Sequence, residues 1–385
     1  MLNKAKMSML LMVGLCMVMA LAGCGGKSAT NEANASSSSS ANTTEISLYT
    51  SGSLNVKELW ETLIPEFEKA NPTIKVKLVY LPSGTGGQSA LDRLLAAKQS
   101  GQTNVDVDLY EGSLDDITKG NKNGIWAKLD TASVPNLKNI DTSILKQVND
   151  MAVPYRASSV VLAYNSQNVP NPPKTADELY DWIRQHPGKF AYNDPSTGGA
   201  GSSFVTTAIY NFLPPEDMNS SDPAIAQKWD QGFNLLKQLG PSMYQQGIYP
   251  KKNQGTLDLL ANGEVDMVPA WSDMALEQIN KQLLPDTTKL TQISPAFTGG
   301  PAYLMVPEMS TKKEAAQKLL DYILTPEAQT IVVNKMYGYP GIKWDLMSKE
   351  LQDKFASVSA SYRQFNGGDL QQEIYKRWQT DVAGQ

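Results

Sequence analysis

Alternating apolar and polar residues predict a series of short strands, and the segments between them have the spacing of helices with one buried face. In the first part of the chain, strands are predicted at residues 45–49, 74–80 and 105–110, and helices at residues 56–67 and 91–95. Strands and helices that alternate at this pitch are typical of a parallel α/β arrangement.

The same pattern restarts after an extended apolar stretch at residues 151–165. Helices are predicted at residues 175–183, 204–212, 225–239 and 257–261, and strands at residues 190–192 and 264–269. A second extended stretch, residues 293–306, then leads back. This order predicts two α/β lobes joined by two crossings, with a cleft between them. We expect lobe 1 at residues 45–153 and 297–339, lobe 2 at residues 154–296, and C-terminal helices across both lobes at residues 340–385.

Three helix starts carry capping signals. Thr175 with Glu178, and Thr311 with Glu314, have the spacing of a capping box, in which each residue bonds the backbone of the other. Thr325 precedes a proline, which favours the first position of a helix. We therefore expect helices to begin directly after Thr175, Thr311 and Thr325.

The amino terminus has the features of a secretory signal peptide. Lys4 and Lys6 precede an apolar run at residues 7–22, which is shorter than the roughly 20 residues that span a bilayer. The run closes with Leu21-Ala22-Gly23-Cys24, which resembles a bacterial lipoprotein box, whose cysteine becomes the first mature residue and carries lipid. We expect a signal peptide at residues 1–23 and a lipid anchor on Cys24.

Residues 24–44 are predicted to form a linker without fixed structure. A run of serines at residues 36–40 lies among Asn, Ala, Gly and Thr, and the stretch has no aromatic residue. Such a composition cannot bury enough apolar surface to offset the entropy lost on ordering. A flexible linker of roughly 20 residues reaches on the order of 25 Å, which lets a globular body face a partner in the membrane.

Composition narrows the function classes. The net charge of −5 becomes more negative once Lys4 and Lys6 leave with the signal peptide, which argues against a nucleic-acid partner. Cys16 leaves as well and Cys24 carries the anchor, so no disulfide is expected. The single histidine, His186, lies in a predicted turn, which argues against most metal sites and against nucleophile–histidine catalysis. We predict no enzyme activity, no metal and no cofactor.

Two enzyme classes have partial support in the residue pattern. Residues 310–313 match the S-x-x-K pattern of penicillin-recognising enzymes, but its companion motifs are absent and helix capping explains the match better. A glycosidase with a pair of carboxylates stays open in principle because acids are plentiful, although no spacing places two of them in register.

The order of elements and four short motifs together resemble the extracellular solute-binding proteins of bacterial ABC importers. The motifs are the lipoprotein box with its serine linker, the Phe-x-x-x-Asn-Pro helix end within residues 60–72, residues 260–267 running into Trp271, and residues 324–329. The resemblance covers essentially the whole mature chain and is nearest the polyamine, thiamine and ferric-iron binders.

The resemblance implies a two-lobed, type II periplasmic-binding-protein-like fold, in which each lobe is a mostly parallel sheet flanked by helices. It implies a non-enzymatic protein, which we expect to be a monomer, that captures a small polar solute on the extracytoplasmic face of the cell membrane and delivers it to ABC permease subunits. A ligand-sensing domain for a signalling partner is the alternative.

Candidate ligand-binding residues follow from a general rule, because ligands of open α/β sheets lie beyond the carboxyl ends of strands, where helices start. Two stretches rich in glycine and hydroxyl groups occupy such positions, residues 83–89 and 194–203, and can aim backbone N–H groups at an anion. Ordinary capping explains either loop alone equally well. The candidates from the strand ends and loops are Ser51, Gly52, Ser83, Gly84, Thr85, Gly86, Gly87, Glu111, Asp194, Ser196, Thr197, Gly198, Gly199, Gly201 and Ser202.

Aromatic and charged groups supply the other candidates. Tyr49, Tyr155 and Trp271 lie near predicted strand ends or crossings, and Trp271 is the best placed to cover the organic part of a solute. Arg156 can give a two-pronged contact to an acid, and Asp273 lies beside Trp271.

Some of these candidate residues suit an acidic solute and others suit a cationic one. We expect an organic solute with an acidic group, held chiefly by residues 196–203 with help from residues 83–87. A cationic solute of the polyamine or thiamine type, held by Glu111, Asp194 and Asp273, is the alternative.

Overall fold

The computed structural model describes residues 43–82, 90–355, 362–365 and 367–383, all within one compact unit, Asn42–Gln385. The strands are β1 (Thr44–Gly52), β2 (Ile74–Pro82), β3 (Leu109–Gly112), β4 (Val153–Asn165), β5 (Met267–Trp271), β6 (Thr288–Thr291), β7 (Gly299–Met305) and β8 (Tyr339–Pro340). The predicted signal peptide and Cys24 lie outside the described residues, as does the predicted linker except its last two residues.

Helices follow most of these strands, as the apolar spacing predicts. The α-helices of the described residues are α1 (Leu54–Ala70), α2 (Ala90–Gln99), α3 (Leu114–Lys122), α4 (Thr142–Gln147), α5 (Ala176–Gln185), α6 (Gly199–Tyr210), α7 (Asp230–Leu239), α8 (Lys252–Ala261), α9 (Ser272–Asn280), α10 (Lys313–Ile323), α11 (Pro326–Met336), α12 (Lys349–Phe355) and α13 (Leu370–Asp381). Among the described residues, no helix is long and apolar enough to cross a membrane.

The strands pair along the path β2-β1-β3-β7-β4-β5, and β6 and β8 also pair with β4. β1 pairs in parallel with β2 and with β3, as predicted. The pairs of β3 with β7, and of β4 with β5, β6, β7 and β8, are antiparallel, which differs from the prediction of mostly parallel strands in each lobe. The difference arises because β4 is one strand of 13 residues that runs through both parts of the sheet, and the chain returns beside it in the opposite direction.

Apolar side chains form separate clusters at the two ends of β4. Val153 and Tyr155 pack with α1, α10 and α11, which together with β1 to β3 we call lobe 1. Val160 and Leu162 pack with α5, α6 and α7, which together with α8, α9, β5 and β6 we call lobe 2. The C-terminal part of the chain contributes Ile342, Met347 and Leu351 to the first cluster and Leu370, Ile374 and Trp378 to the second. The residue bounds predicted for the lobes stay predictions.

Two of the predicted helix starts are confirmed and one is wrong. Thr175 and Glu178 form the complete capping box of α5, and Thr325 caps α11 with a proline at its first position. α10 begins at Lys313 with no side-chain cap, so Thr311 and Glu314 form no capping box. The preceding turn is organised instead by Ser310, whose hydroxyl donates to Asp108 Oδ1 at 2.7 Å and accepts from the Lys312 N–H at 3.1 Å.

Several predicted boundaries shift. β3 begins at Leu109 rather than at residue 105, and Phe190 makes a single parallel bridge to Met267 instead of starting a strand. The helix predicted at residues 225–239 is a 3-10 turn, Pro223–Lys228, followed by α7. The apolar pattern of these segments indicates that they are buried, but buried turns show the same pattern as strands and helices.

Candidate functional site

A cavity of about 510 Å³ lies where helices of both lobes begin. Lobe 1 contributes residues at the starts of α1 and α3, and lobe 2 contributes residues at the starts of α6, α8 and α9. Part of its floor is formed by β4 and β7, through Arg156, Ser158 and Ala302. A volume of this size suits a small organic ligand.

Ten of the candidates predicted from the sequence line this cavity. They are Ser51, Gly52, Glu111, Arg156, Ser196, Thr197, Gly198, Gly199, Trp271 and Asp273. Tyr49, Tyr155, Asp194, Gly201 and Ser202 do not line it. Ser83, Gly84, Thr85, Gly86 and Gly87 lie outside the described residues, so their predicted contribution stays a prediction.

The two tyrosines do not line the cavity, and their hydroxyl groups have protein partners. Tyr49 donates to Asp106 Oδ2 at 2.7 Å, within lobe 1. Tyr155 is fully buried, its ring packs on Trp60 with centroids 5.3 Å apart, and its hydroxyl accepts from Arg156 Nε at 2.7 Å. Burial raises the pKa of Tyr155 well above its ordinary value, so it stays a neutral support for the guanidinium.

Gly201 and Ser202 serve packing within lobe 2. A Cβ at Gly201 would lie 1.8 Å from the backbone oxygen of Asn193, so only glycine fits this contact. Ser202 Oγ accepts from the Tyr375 hydroxyl at 3.1 Å. Gly198 and Gly199 are the glycines of this loop that line the cavity, and a Cβ at Gly199 would lie 2.8 Å from the ring of Trp271.

Asp194 organises the loop from inside. Its carboxylate accepts from the backbone N–H and the hydroxyl of Ser196, at 2.9 and 2.7 Å, and pairs with Lys251 at 2.5 Å. Burial raises the pKa of Asp194, but the bonds from Lys251 and Ser196 together lower it further, so the net shift is downward. Asp194 therefore holds the loop in shape as a carboxylate.

The starts of α6 and α8 are bound to each other. The Ala200 N–H donates to Asn253 Oδ1 at 3.0 Å, and the Lys252 N–H donates to Thr197 Oγ1 at 2.9 Å. Among the described residues, the backbone N–H groups of Gly198, Gly199 and Asn253 have no hydrogen-bond partner. These three residues line the cavity, and the first turns of α6 and α8 contain no acidic residue.

Two charged groups of the cavity lining are already paired with each other. Glu111 and Arg156 form an ion pair at 2.9 Å, with side chains only 4% and 15% exposed, and Thr50 also donates to the Glu111 carboxylate. Burial lowers the pKa of Arg156, while Tyr155, Glu111 and Asp273 raise it more, so it stays charged. Asp273 accepts from Ser158 Oγ at 2.7 Å. Within the described part of the chain, no group of His, Cys, Asp and Glu could hold a metal ion.

Residues 62–354 match the sequence profile of a family described as bacterial extracellular solute-binding protein. The chain belongs to that family. This solute-binding protein is therefore extracytoplasmic and not an enzyme, as the sequence predicts. No curated protein sequence matches it.

Solved structures with low sequence identity share the fold of this solute-binding protein. A protein of Bordetella parapertussis named as an extracellular solute-binding protein has a TM-score of 0.69 at 16% identity, over 88% of this chain and 99% of that chain. The spermidine/putrescine substrate-binding protein PotD of Streptococcus pneumoniae has a TM-score of 0.63 at 15% identity, over 88% and 100%. The apo ferric ion-binding protein A of Pasteurella haemolytica has a TM-score of 0.62 at 14% identity, over 88% and 95%. The predicted periplasmic-binding-protein-like fold is confirmed.

The cavity of the solute-binding protein includes residues that the sequence reasoning missed. Asn55 and Asn253 lie in the first turns of α1 and α8, and Tyr375 comes from α13, near the far end of the chain. Asparagines in first turns that lack acidic residues are a readable signal for the first two. No local pattern indicates that Tyr375 reaches the cavity.

Proposed function

We propose that this solute-binding protein captures a small organic molecule with an acidic group and delivers it to the permease of an ABC importer. The observation that carries the proposal is the joined start of α6 and α8, where Gly198, Gly199 and Asn253 line the cavity and their backbone N–H groups have no hydrogen-bond partner among the described residues. A helix start carries about half a positive charge. Backbone N–H groups there bind carboxylates, phosphates and sulfates directly.

A cationic solute is the alternative, because Glu111 and Asp273 line the same cavity, and PotD of the same fold is named for spermidine and putrescine. Two observations favour the acidic solute. The Glu111 charge is matched by Arg156 at 2.9 Å, and Asp194 lies off the cavity, paired with Lys251. Asp273 is then the one candidate acid of that alternative whose carboxylate has no cationic partner within hydrogen-bond distance among the described residues.

The proposal includes the arrangement at the membrane. Cys24 carries lipid, residues 24–44 form the tether, and the body acts as a monomer on the extracytoplasmic face. Delivery to a permease is favoured over sensing by the family, and permease and ATPase genes beside this one would support it, whereas a kinase gene there would support sensing.

The experiment is a thermal-shift screen of carboxylated, phosphorylated and sulfonated compounds beside sugars, polyamines and thiamine derivatives. We expect one or more acids to raise the melting temperature, with no turnover of the stabilising compound. Stabilisation by polyamines or thiamine without stabilisation by any acid would refute the acidic solute.

Asn253→Asp is the matched variant. The new carboxylate keeps the oxygen that accepts from the Ala200 N–H and places a negative charge at the α8 start, which favours the helix. We expect the fold to be as stable as before, while the affinity for acids falls at least about tenfold because like charges repel. Asn262→Asp makes the same charge change at the exposed C-terminal cap of α8 and should leave affinity unchanged.

A further inference from the structure

We propose that Asn55 binds a second polar group of the solute, one that both donates and accepts a hydrogen bond, such as two adjacent hydroxyls or a carboxamide. The inference rests on the proposed function, because it takes the acidic group to lie at the starts of α6 and α8. It adds a specificity-determining residue on the lobe 1 side of the same cavity.

The evidence is an amide without partners. Asn55 is the second residue of α1, it lines the cavity, and only 6% of it is exposed. Both Nδ2 and Oδ1 are buried, and neither has a hydrogen-bond partner among the residues that the structure describes. Buried polar groups in proteins are almost always paired, because leaving them unpaired costs free energy. An unpaired amide at a cavity wall points to a bound molecule as its partner.

No polar side chain at the start of α1 bonds the Asn55 amide. The Ser53 side chain makes no capping bond, and no acidic residue lies in the first turn. The Ser53 hydroxyl instead lies 3.6 Å from Met274 Sδ on α9 of lobe 2. Asn55 also lines an adjoining cavity of about 520 Å³ that shares Ser53 and Met274 with the first. Asn55 is therefore one of the residues that the two cavities share.

The chemistry of the amide selects the group. A carboxamide presents N–H donors and a carbonyl acceptor side by side. A lone carboxylate would satisfy Nδ2 and leave Oδ1 unpaired, and an ammonium group would do the reverse. Adjacent hydroxyls, or another carboxamide, satisfy both atoms at once. The solute class that fits both sides of the cavity is a hydroxylated or amide-bearing organic acid.

The test measures the preference between matched acids by calorimetry on the mature protein. The probes are glycerate beside propionate, glycerol 3-phosphate beside propyl phosphate, and succinamate beside succinate. The first two pairs report hydroxyls and the third reports the amide. We expect the wild type to bind at least one of the acids with hydroxyl or amide groups about tenfold or more tightly than its partner acid without them. Asn55→Leu, which removes both polar atoms and suits a helix, should reduce that preference to less than about threefold.

Two further variants make the result specific. Asn55→Asp keeps the size and one acceptor but loses the donor, and it should also lose the preference, whatever it does to absolute affinity. Asn211→Leu makes the same substitution at the C-terminal end of α6, outside the cavity lining, and should keep the preference.

The outcomes separate the two proposals. Acids that bind with no preference, or a preference that survives Asn55→Leu, overturn the role of Asn55 and leave the acidic solute standing. If none of the six acids binds, the role of Asn55 is overturned, and the thermal-shift screen decides separately on the acidic solute. Loss of the preference in both Asn55 variants, with Asn211→Leu unaffected, supports the inference.

Discussion

Asp115 is a carboxyl group whose surroundings oppose its ionisation. It lies in the first turn of α3, and burial raises its pKa to about 6, with Asp116 raising it, the Gly368 N–H lowering it and Asp369 raising it. Gly368 and Asp369 belong to the segment that leads into α13. The protonation state of one side chain is therefore linked to the contact between α3 and the C-terminal segment.

We predict that the contribution of Asp115 to the free energy of unfolding decreases as pH rises from about 4 to about 6. In this range the folded protein holds a proton at Asp115 that the unfolded chain has released, so the stabilisation is complete below the unfolded pKa and is lost through the folded one. The contribution should be roughly 1–2 kcal/mol. It is less than the free energy that corresponds to the whole pKa difference between the folded and unfolded states, because the carboxyl group is partly exposed.

Urea unfolding at pH 4.5 and pH 7 checks this prediction. Asp115→Asn should reduce the difference in free energy between the two pH values, and Asp286→Asn, at an exposed aspartate, should not. An unchanged difference in Asp115→Asn would show that other groups cause the pH dependence.

Residue types alone predict which residues are candidates for binding a ligand, but not which of them bind each other. Glu111 and Arg156 are reasonable contacts for solutes of opposite charge, and 45 positions separate them in the chain, yet the structure brings them to 2.9 Å of each other. No sequence pattern fixes such a distance, because it depends on how β3 and β4 lie in the sheet. The same holds for Gly201, where glycine is required by the close approach of the Asn193 backbone and not by a ligand.

Local signals are most reliable at helix starts where both halves of the signal are present. In α5 the Glu178 N–H donates to Thr175 Oγ1 at 3.2 Å, and Glu178 Oε2 accepts from the Thr175 N–H at 3.3 Å. Thr311 and Glu314 have the same spacing and form no box, because Ser310 binds Asp108 and delays the helix to Lys313. A contact across the fold thus overrides a local preference.

We predict that Thr175→Ala lowers the free energy of unfolding by about 1 kcal/mol, since it removes the acceptor for an N–H group at the α5 start. Thr311→Ala, which has the same sequence context and no capping bond, should change it by less than about 0.5 kcal/mol. Chemical unfolding of the two variants beside the wild type makes the comparison. Equal losses would mean that Thr311 caps a helix in solution.

At the scale of the molecule, the order of strands and helices predicts the architecture, and the cavity composition largely escapes prediction. The restart of the α/β pattern after residues 151–165 predicts a second lobe, and family and fold are confirmed. The cavity, however, gathers residues from five helix starts, five strands and α13. Their meeting depends on the long strand β4 and on the C-terminal packing of Trp378 against lobe 2, neither of which leaves a local signature.

The final prediction concerns how this body is held at the membrane. Leu21-Ala22-Gly23-Cys24 closes an apolar segment, and a polar stretch without aromatic residues separates it from β1. A single lipid chain binds membranes only reversibly, whereas two or more chains anchor stably, so we expect a multiply acylated Cys24. Intact mass of the membrane-extracted protein should show a chain that begins at Cys24 and carries diacylglycerol. Cys24→Ala should move the protein to the soluble fraction or leave its signal peptide uncleaved. A Cys24→Ala protein that is correctly cleaved and equally membrane-bound would contradict the lipid anchor, while solute binding by the soluble body would be unaffected in either case.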